Sequence, residues 1–303
     1  MILRNTIRTL RATTSFYTSP RTYFSNPISN IFTRNLSTAV SKRLNGKTVL
    51  ITGASSGIGR STAVEFARQS PESLKIIITA RREERLNELA KEIKKEVGEG
   101  VKVFPVKLDV SNTAEMDAFM KKLPDEFRDV DILVNNAGLV KGIARAPHIS
   151  PADITTMFTT NTLSLIHLTQ TILPTFLSKN SGTIINIGSI AGREGYPGGS
   201  IYCATKAAVK TFTDALRKEL IATKVRVICV DPGQVESEFS VVRFGGDKEK
   251  ADKVYEGCEP LTPEDVAEVV VFAAGRRENV VVADTLIFPN HQAAATVMHR
   301  KNS

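Results

Sequence analysis

The alternation of short apolar runs with amphipathic segments is the feature that most constrains the fold of this chain. Seven runs rich in β-branched residues predict strands, at 47–53, 73–80, 101–110, 130–138, 182–189, 224–233 and 280–289. Segments with helical periodicity separate them, at 59–70, 82–97, 112–123, 151–179, 199–222 and 263–275. Near-continuous apolar strands are buried on both faces of a sheet, and strict alternation with helices indicates parallel order. The pattern predicts an α/β fold with one doubly wound parallel sheet of about seven strands and helices on both faces.

Two parts of the chain depart from this pattern. Pro174 interrupts the long segment 151–179, so we expect a kink there or two joined helices. Residues 236–260, between the sixth strand and the last helix, fit neither pattern. Because an insertion at the carboxyl ends of strands commonly covers a ligand, this segment is a candidate substrate lid.

Charge separates the start of the chain from the rest. Residues 1–47 contain eight Lys and Arg and no acid, whereas the remaining chain holds 32 basic and 32 acidic residues. The neutral body argues against a nucleic-acid-binding protein, despite a formal net charge of +8. Residues 1–44, rich in Arg, Ser and Thr, have the composition of a mitochondrial presequence, with cleavage expected after Leu36. We predict a matrix protein with one folded domain over 45–303; a cytoplasmic protein with a basic tail is the alternative.

Membrane and metal-binding classes have little support in the sequence. No span approaches the roughly 20 apolar residues that a membrane helix needs. The three cysteines and four histidines form none of the pairs with metal-ligand spacing.

A glycine-rich turn follows the first strand directly and opens the first helix. In TGASSGIG, residues 52–59, the glycines allow a tight turn and let a pyrophosphate approach the helix N-terminus. Any tight β–α turn can use glycines, but the strand before it and the helix after it favour dinucleotide binding in a Rossmann-type sheet. The candidate cofactor residues of this turn are Gly53, Ser55, Ser56, Gly57, Ile58 and Gly59.

The end of the second strand indicates which dinucleotide binds. Proteins that prefer NAD usually have an acid there that binds the ribose 2′-hydroxyl. This chain has Ala80 followed by Arg81 and Arg82, whose guanidinium groups suit a 2′-phosphate. The pair favours NADP(H), although the arginines, Arg82 more than Arg81, can also simply begin a solvated helix.

Other strand ends supply further cofactor candidates. Asp109 ends the third strand, where it could accept a hydrogen bond from an adenine amino group, and the small residues of NNAG would let the cofactor cross the sheet edge. Taken singly, each is equally compatible with an ordinary turn. The candidates are Asp109, Val110, Asn136, Ala137, Gly138, Pro232, Gly233, Val235 and Ser237.

Tyr202 and Lys206 stand four residues apart in YCATK, on one face of a helix. A phenol with a pKa of about 10 is a poor base at neutral pH, whereas a nearby ammonium and an oxidised nicotinamide favour the phenolate. Ser189, at the end of the fifth strand, can donate to a substrate oxygen as charge develops there. The pair alone is more often chance than function, but the ordered set of motifs is hard to obtain by chance.

These motifs resemble the short-chain dehydrogenase/reductase family, whose pattern the chain covers from about residue 45 to 290. TGxxxGxG, NNAG, a serine, YxxxK and a Pro-Gly turn stand in the family order. The resemblance implies that Ser189 orients the substrate oxygen and that Tyr202 transfers the proton. It implies that Lys206 lowers the pKa of Tyr202 and holds the ribose, that Asn161 completes a proton relay, and that the protein is a homotetramer.

A narrower similarity concerns the substrate. SIAGREGYPGGSIYCATK, ESEFSVVRFGGD, LTPEDVAE and ADTLIFP are similar to fungal and bacterial NADP-dependent 3-hydroxy acid dehydrogenases in that family. This implies oxidation of L-serine, L-allo-threonine or 3-hydroxyisobutyrate, or reduction of the matching carbonyls. Such substrates carry a carboxylate, so Arg193 and Arg243 are candidate substrate residues beside Ser189 and Tyr202, although either arginine could be a surface residue.

Two other functions stay open. A 3-oxoacyl-carrier-protein or general carbonyl reductase would suit the mitochondrial matrix, but the carrier needs a basic docking patch that the neutral body does not indicate. A catalytically idle NADP(H)-binding regulator is the alternative of a different class. Loss of Ser189, Tyr202 or Lys206 would indicate it, and all three are present.

Overall fold

The computed structural model describes residues 39–301, and its elements follow the predicted alternation. The strands are β1 (Thr48–Thr52), β2 (Leu74–Ala80), β3 (Val101–Lys107), β4 (Ile132–Asn135), β5 (Gly182–Ile187), β6 (Val225–Pro232) and β7 (Asp284–Ile287). The helices are α1 (Ala39–Leu44), α2 (Gly57–Gln69), α3 (Glu83–Val97), α4 (Thr113–Lys122), α5 (Asp125–Arg128), α6 (Pro151–Phe158), α7 (Ser164–Ser178), α8 (Ser200–Glu219), α9 (Glu238–Arg243), α10 (Lys248–Lys253) and α11 (Pro263–Ala274). A π-helical segment, Thr159–Leu163, joins α6 to α7, and a short 3₁₀ helix covers Ile190–Gly192.

The seven strands form one parallel sheet in the order β3-β2-β1-β4-β5-β6-β7. Ile51 of β1 pairs with Ile78 of β2 on one side and with Val134 of β4 on the other. The chain order therefore reverses between β1 and β4. In a doubly wound sheet this reversal opens a crevice at the carboxyl ends of the strands, where ligands bind. The predicted fold class is confirmed.

The apolar core has two layers, one on each face of the sheet. Val49 and Ile51 of β1 belong to a buried cluster with Phe66 of α2, whereas Leu50 belongs to a second cluster with Phe176 of α7. Successive side chains of a strand point to opposite faces, so the three central residues of β1, Val49, Leu50 and Ile51, must all be apolar to contact both layers. This double burial explains why the centre of β1 is a continuous apolar run, with a threonine at each end.

The segment 151–179 forms two joined helices, one of the two expected arrangements, but they join at Thr159–Leu163 and not at Pro174. Helix α7 continues through Pro174, and the departure from α-helical geometry comes earlier, at Thr159–Leu163. Ile172 and Phe176, on either side of the proline, are fully buried in the core. Packing of this kind stabilises a helix more than local propensity does, so α7 tolerates the missing N–H of Pro174.

The described part of the chain begins within the segment that we assigned to the presequence. Most of that segment, with the expected cleavage site, lies outside the described residues. Residues 39–44 form α1, in which Leu44 is buried and Arg43 Nη1 donates to the carbonyl of Gly275 at 3.0 Å. The folded domain thus extends to Ala39 rather than starting at residue 45. Across residues 39–301, helices of the length and apolarity required to span a bilayer are absent.

Candidate active site

A cleft of about 360 Å³ lies at the carboxyl ends of the strands, beside the reversal between β1 and β4. Every residue that we predicted to contact the cofactor lines this cleft, except Gly59. The fold explains the convergence, because parallel strands all end at the same edge of the sheet and their following turns therefore meet there.

The glycine turn is shaped by conformation at one glycine and by close packing at another. Gly53 has a φ of +68°, and a Cβ there would lie 2.9 Å from Cα of Ala137. Gly59 is already within α2, where a Cβ would lie 2.6 Å from the carbonyl oxygen of Gly53. Gly59 therefore acts by letting the helix approach the turn, not by lining the cleft.

The NNAG turn after β4 is bonded to the glycine turn. Asn136 Nδ2 donates to the carbonyl oxygen of Thr52 at 2.8 Å, and Thr52 Oγ1 accepts from the backbone N–H groups of Asn136 and Ala137 at 3.0 Å each. Asn136 was predicted as a cofactor contact. Its side chain also fixes the distance between the two turns that form the cleft floor.

Both arginines after β2 line the cleft, and Arg82 is the more strongly engaged. Its Nη2 donates to Ser55 Oγ at 2.9 Å and to Ser56 Oγ at 2.8 Å, so it does more than begin α3. Arg81 is exposed beside it. In the turn after β3, Asp109 Oδ1 accepts from the backbone N–H and the hydroxyl of Ser111. The free N–H groups at the start of α2 and the guanidinium groups fit a dinucleotide that carries a 2′-phosphate.

Ser189, Tyr202 and Lys206 meet at the other end of the cleft, and all three are buried. Ser189 Oγ accepts from the backbone N–H of Ala191 at 3.1 Å, and its hydroxyl proton is directed to the Tyr202 phenol, whose pKa this hydrogen bond lowers. Lys206 Nζ lies 6.0 Å from the centre of the Tyr202 ring and donates to the carbonyl oxygen of Ile187 at 2.7 Å. Helix α8 presents both side chains on one face, as their spacing predicts.

The electrostatics of this group differ from our expectation. Burial raises the pKa of the Tyr202 phenol well above its ordinary value, and Tyr196 raises it further, while a hydrogen bond with Ser189 and the charge of Arg243 lower it by less. Burial also lowers the pKa of the Lys206 ammonium to about 8. We expected the ammonium, together with an oxidised nicotinamide, to lower the pKa of Tyr202. Within the cleft itself, desolvation outweighs that effect, because burial disfavours the charged form of each group.

Asn161 lies in the π-helical segment, in the wall beside the cleft rather than in its lining. Its Oδ1 accepts from the backbone N–H of Leu139, and its Nδ2 donates to the carbonyl oxygen of Leu139, both at 2.8 Å. Nδ2 also donates to Thr205 Oγ1, which donates to the carbonyl oxygen of Tyr202. Single π-helical turns are frequent at functional sites, and this one ties the loop after β4 to the first turns of α8.

Arg193 is not brought to the cleft. Its Nε donates to Asp231 Oδ2 at 2.7 Å, and its Nη2 pairs with Asp284. Asp231 is buried, and a buried carboxylate that loses its cation is costly to the fold. Arg193 therefore neutralises two carboxylates of the protein, and the prediction that it binds a substrate carboxylate is corrected.

Arg243 remains close to the predicted acid/base residue. Its Nε donates to the carbonyl oxygen of Gly142 at 3.3 Å, and its guanidinium lies 5.7 Å from the centre of the Tyr196 ring. The guanidinium is outside the cleft lining, yet its charge lowers the pKa of Tyr202. It is the predicted substrate cation that the structure places near Tyr202.

Nine residues that line the cleft were not among the predicted site residues, and three of them, Glu238, Phe239 and Val242, come from α9. The ring of Phe239 lies 5.5 Å from that of Tyr202 in an edge-to-face arrangement. The candidate lid 236–260 contains α9, so its position in the chain was the available signal. The hydrophobic periodicity of the sequence did not show which face of so short a helix lines the cleft.

A dinucleotide cleft that ends in a serine, a tyrosine and a lysine defines a class of protein, the nicotinamide-dependent oxidoreductases of the doubly wound fold. The family model described as short chain dehydrogenase matches residues 47–244. The chain belongs to the short-chain dehydrogenase/reductase family, and the resemblance inferred from the motifs is confirmed.

Named relatives cover almost all of the described chain. An NADP-dependent 3-hydroxy acid dehydrogenase of Schizosaccharomyces pombe is 55% identical over 261 residues, which are 86% of this chain and 99% of the relative. A serine 3-dehydrogenase of Agrobacterium fabrum is 38% identical, covering 82% of this chain and 96% of the relative. The closed form of a serine dehydrogenase complexed with NADP⁺ superposes with a TM-score of 0.76 at 41% identity, covering 84% of this chain and 100% of that one.

Proposed function

We propose that this protein oxidises the 3-hydroxyl group of small 3-hydroxy acids, of the L-serine, L-allo-threonine and 3-hydroxyisobutyrate type, or reduces the matching carbonyls. The enzyme is an NADP-dependent oxidoreductase: its relatives carry that cofactor in their names, and Arg81 and Arg82 take the place of the acid that favours NAD. The observation that carries the proposal is the convergence of Ser189, Tyr202 and Lys206 in the cleft with Arg243 nearby.

Each side chain at this end of the cleft has a separate role in the oxidation of an alcohol. NADP⁺, when bound, would supply the acceptor for the hydride that leaves substrate C3. Ser189, whose Oγ accepts from the backbone N–H of Ala191, donates its hydroxyl proton to the substrate oxygen in place of the phenol and holds that oxygen beside Tyr202. Tyr202 takes the proton of the substrate hydroxyl as C3 is oxidised, and in the reverse direction returns it. Lys206, held by the carbonyl of Ile187, favours the phenolate, and Asn161 holds the wall that positions Lys206 and Tyr202.

Arg243 is the proposed partner of the substrate carboxylate. A guanidinium matches a carboxylate in charge and in geometry, and α9 carries Arg243 beside the cleft. A carboxylate held there would place C3 of a three-carbon acid at a short distance from the phenol. A neutral alcohol would gain nothing from Arg243, so this residue should set the preference for acids.

The test compares Arg243→Ala with the wild-type enzyme on 3-hydroxyisobutyrate and on its methyl ester, with NADP⁺. Loss of a charged hydrogen bond should raise KM for the acid about tenfold or more, and leave the ester nearly unchanged. Lys248→Ala, which removes an exposed cation from the same lid segment, should affect neither substrate. Equal effects of Arg243→Ala on acid and ester would discard the carboxylate clamp. Absence of turnover of any 3-hydroxy acid by the wild-type enzyme would discard the function.

A further inference from the structure

Glu238, the first residue of α9, lies in the part of the cleft where a 2′-phosphate is expected. Its Oε2 lies 2.8 Å from Nη1 of Arg82, and its Oε1 accepts a hydrogen bond from Nη1 of Arg85. Arg82 lines the cleft, whereas Arg85, one turn along α3, does not. The carboxylate is therefore shared between one arginine inside the cofactor cleft and one outside it.

The Glu238 carboxylate is hydrogen-bonded to the guanidinium of Arg82, which is the group that we expect to bind a 2′-phosphate. Arg82 already donates to Ser55 and Ser56, so the Nη1 donor that it gives to Glu238 is the one turned toward the lid. Burial opposes ionisation of Glu238, but hydrogen bonds from Arg85 and Arg82 and their charges lower its pKa to about 2. Glu238 is thus negative at every working pH, and two anions cannot share one guanidinium donor without repulsion.

We propose that Glu238 competes with the 2′-phosphate of NADP(H) for Arg82, and that Arg85 receives the carboxylate when the phosphate binds. This inference rests on the NADP-binding cleft of the proposed function. It makes Glu238 and Arg85 specificity-determining residues that act on 2′-phosphorylated nucleotides and leave NAD(H) unaffected, because NAD(H) has a neutral hydroxyl at that position. The displaced carboxylate belongs to the helix whose next residue, Phe239, contacts the ring of Tyr202.

The expected change in nucleotide affinity follows from the solvent exposure of the three charged side chains. The side chains of Arg82, Arg85 and Glu238 are between 41% and 45% exposed, so water screens their charges. Exposed ion pairs are weak, and removal of the competitor should therefore change nucleotide affinity by about threefold to tenfold.

The experiment measures dissociation constants of NADPH, NADH and 2′,5′-ADP by isothermal titration calorimetry. With Glu238→Gln, the Kd of NADPH and of 2′,5′-ADP should fall by about threefold to tenfold, while that of NADH stays unchanged. With Arg85→Gln, the carboxylate has no second partner, so both 2′-phosphorylated ligands should bind more weakly by a similar factor. The double variant should behave like Glu238→Gln, since no carboxylate remains to compete. Glu236→Gln, which removes an exposed charge two residues earlier, should match the wild type.

Two results would overturn the competition. One is an unchanged or weaker affinity of Glu238→Gln for 2′,5′-ADP. The other is an equal change in the Kd of NADH and of NADPH, which would indicate an altered cleft shape rather than competition with the 2′-phosphate. A wild-type protein that binds NADH as tightly as NADPH would instead refute the cofactor preference in the proposed function, which is a separate outcome.

Discussion

Lys206 is a buried cation, and its burial predicts how the stability of the cofactor-free protein changes with pH. The side chain is 5% exposed and donates to the carbonyl oxygen of Ile187 at 2.7 Å. Burial lowers its pKa from 10.5 to about 8. Each unit of pKa shift corresponds to about 1.4 kcal/mol, so burying the charged form costs the folded state about 3 kcal/mol.

The sign of the pH dependence follows from which state holds the proton. Below pH 8, Lys206 is protonated in both folded and unfolded chains, and the folded state bears the whole cost. Between pH 8 and 10.5, the folded protein has released the proton while the unfolded chain keeps it, so the free energy of unfolding rises with pH. Above that interval, both forms are neutral and the cost is gone.

The assay is urea unfolding of the wild type, Lys206→Met and Lys210→Met at pH 7 and pH 9.5. Between these pH values Lys206 should add about 2 kcal/mol to the free energy of unfolding of the wild type, relative to Lys206→Met. Lys210, on the same helix, pairs with Asp284 near the surface, so its variant should follow the wild type. Burial raises the pKa of Tyr202 and of Cys229, which weakens the fold at high pH; this burial is the same in all three proteins, and the charge of Lys210 offsets only part of it at Cys229. Identical pH dependence in the wild type and Lys206→Met would refute the reasoning.

Three further predictions concern catalysis, the glycine turn and targeting. Tyr202→Phe keeps the ring and removes the phenolic proton, so kcat should fall by about 10²- to 10⁴-fold with little change in NADPH binding. Near-normal turnover of this variant would contradict the proposed mechanism. Gly59→Ala should lower the free energy of unfolding by about 1–3 kcal/mol in urea, because its Cβ meets the carbonyl of Gly53. Gly195→Ala, where an added Cβ meets nothing within 4 Å, is the control, and equal stability of the two variants would contradict the packing argument. Residues 1–47 fused to a fluorescent reporter should direct it to mitochondria, and a diffuse cytosolic signal would overturn the proposed location.

The convergence of the cleft residues could be predicted because the fold fixes it. Gly53, Asp109, Asn136 and Ser189 follow different strands, yet once those strands are parallel their carboxyl ends must meet at one edge. Helical spacing predicted that Tyr202 and Lys206 share one face of α8, and the ordered set of motifs predicted that this face belongs to the site. Sequence patterns therefore predicted the positions that depend on the backbone and on periodicity.

Side chains whose placement depends on a distant partner could not be predicted. Arg193 follows Ser189 closely in sequence, but Asp231 and Asp284, which come from β6 and β7, determine where it points. Glu238 lies 156 residues from Arg82, and only the folded chain brings them together. Asn161 had the expected residue type, yet its bonds to the backbone of Leu139 make it part of the wall.

The pKa of Tyr202 shows why spacing is an incomplete guide to the chemistry of a buried pair. Spacing on a helix predicts that an ammonium lowers the pKa of a nearby phenol, but burial acts on both groups and favours the neutral form of each. In this cleft burial prevails, raising the pKa of Tyr202 and lowering that of Lys206 to about 8. On the proposed mechanism, Tyr202 therefore becomes an effective base only when further positive charge enters the cleft beside it. An oxidised nicotinamide carries such a charge and a reduced one does not, so the pKa of Tyr202 should be lower with NADP⁺ than with NADPH, in the direction that each half of the reaction requires.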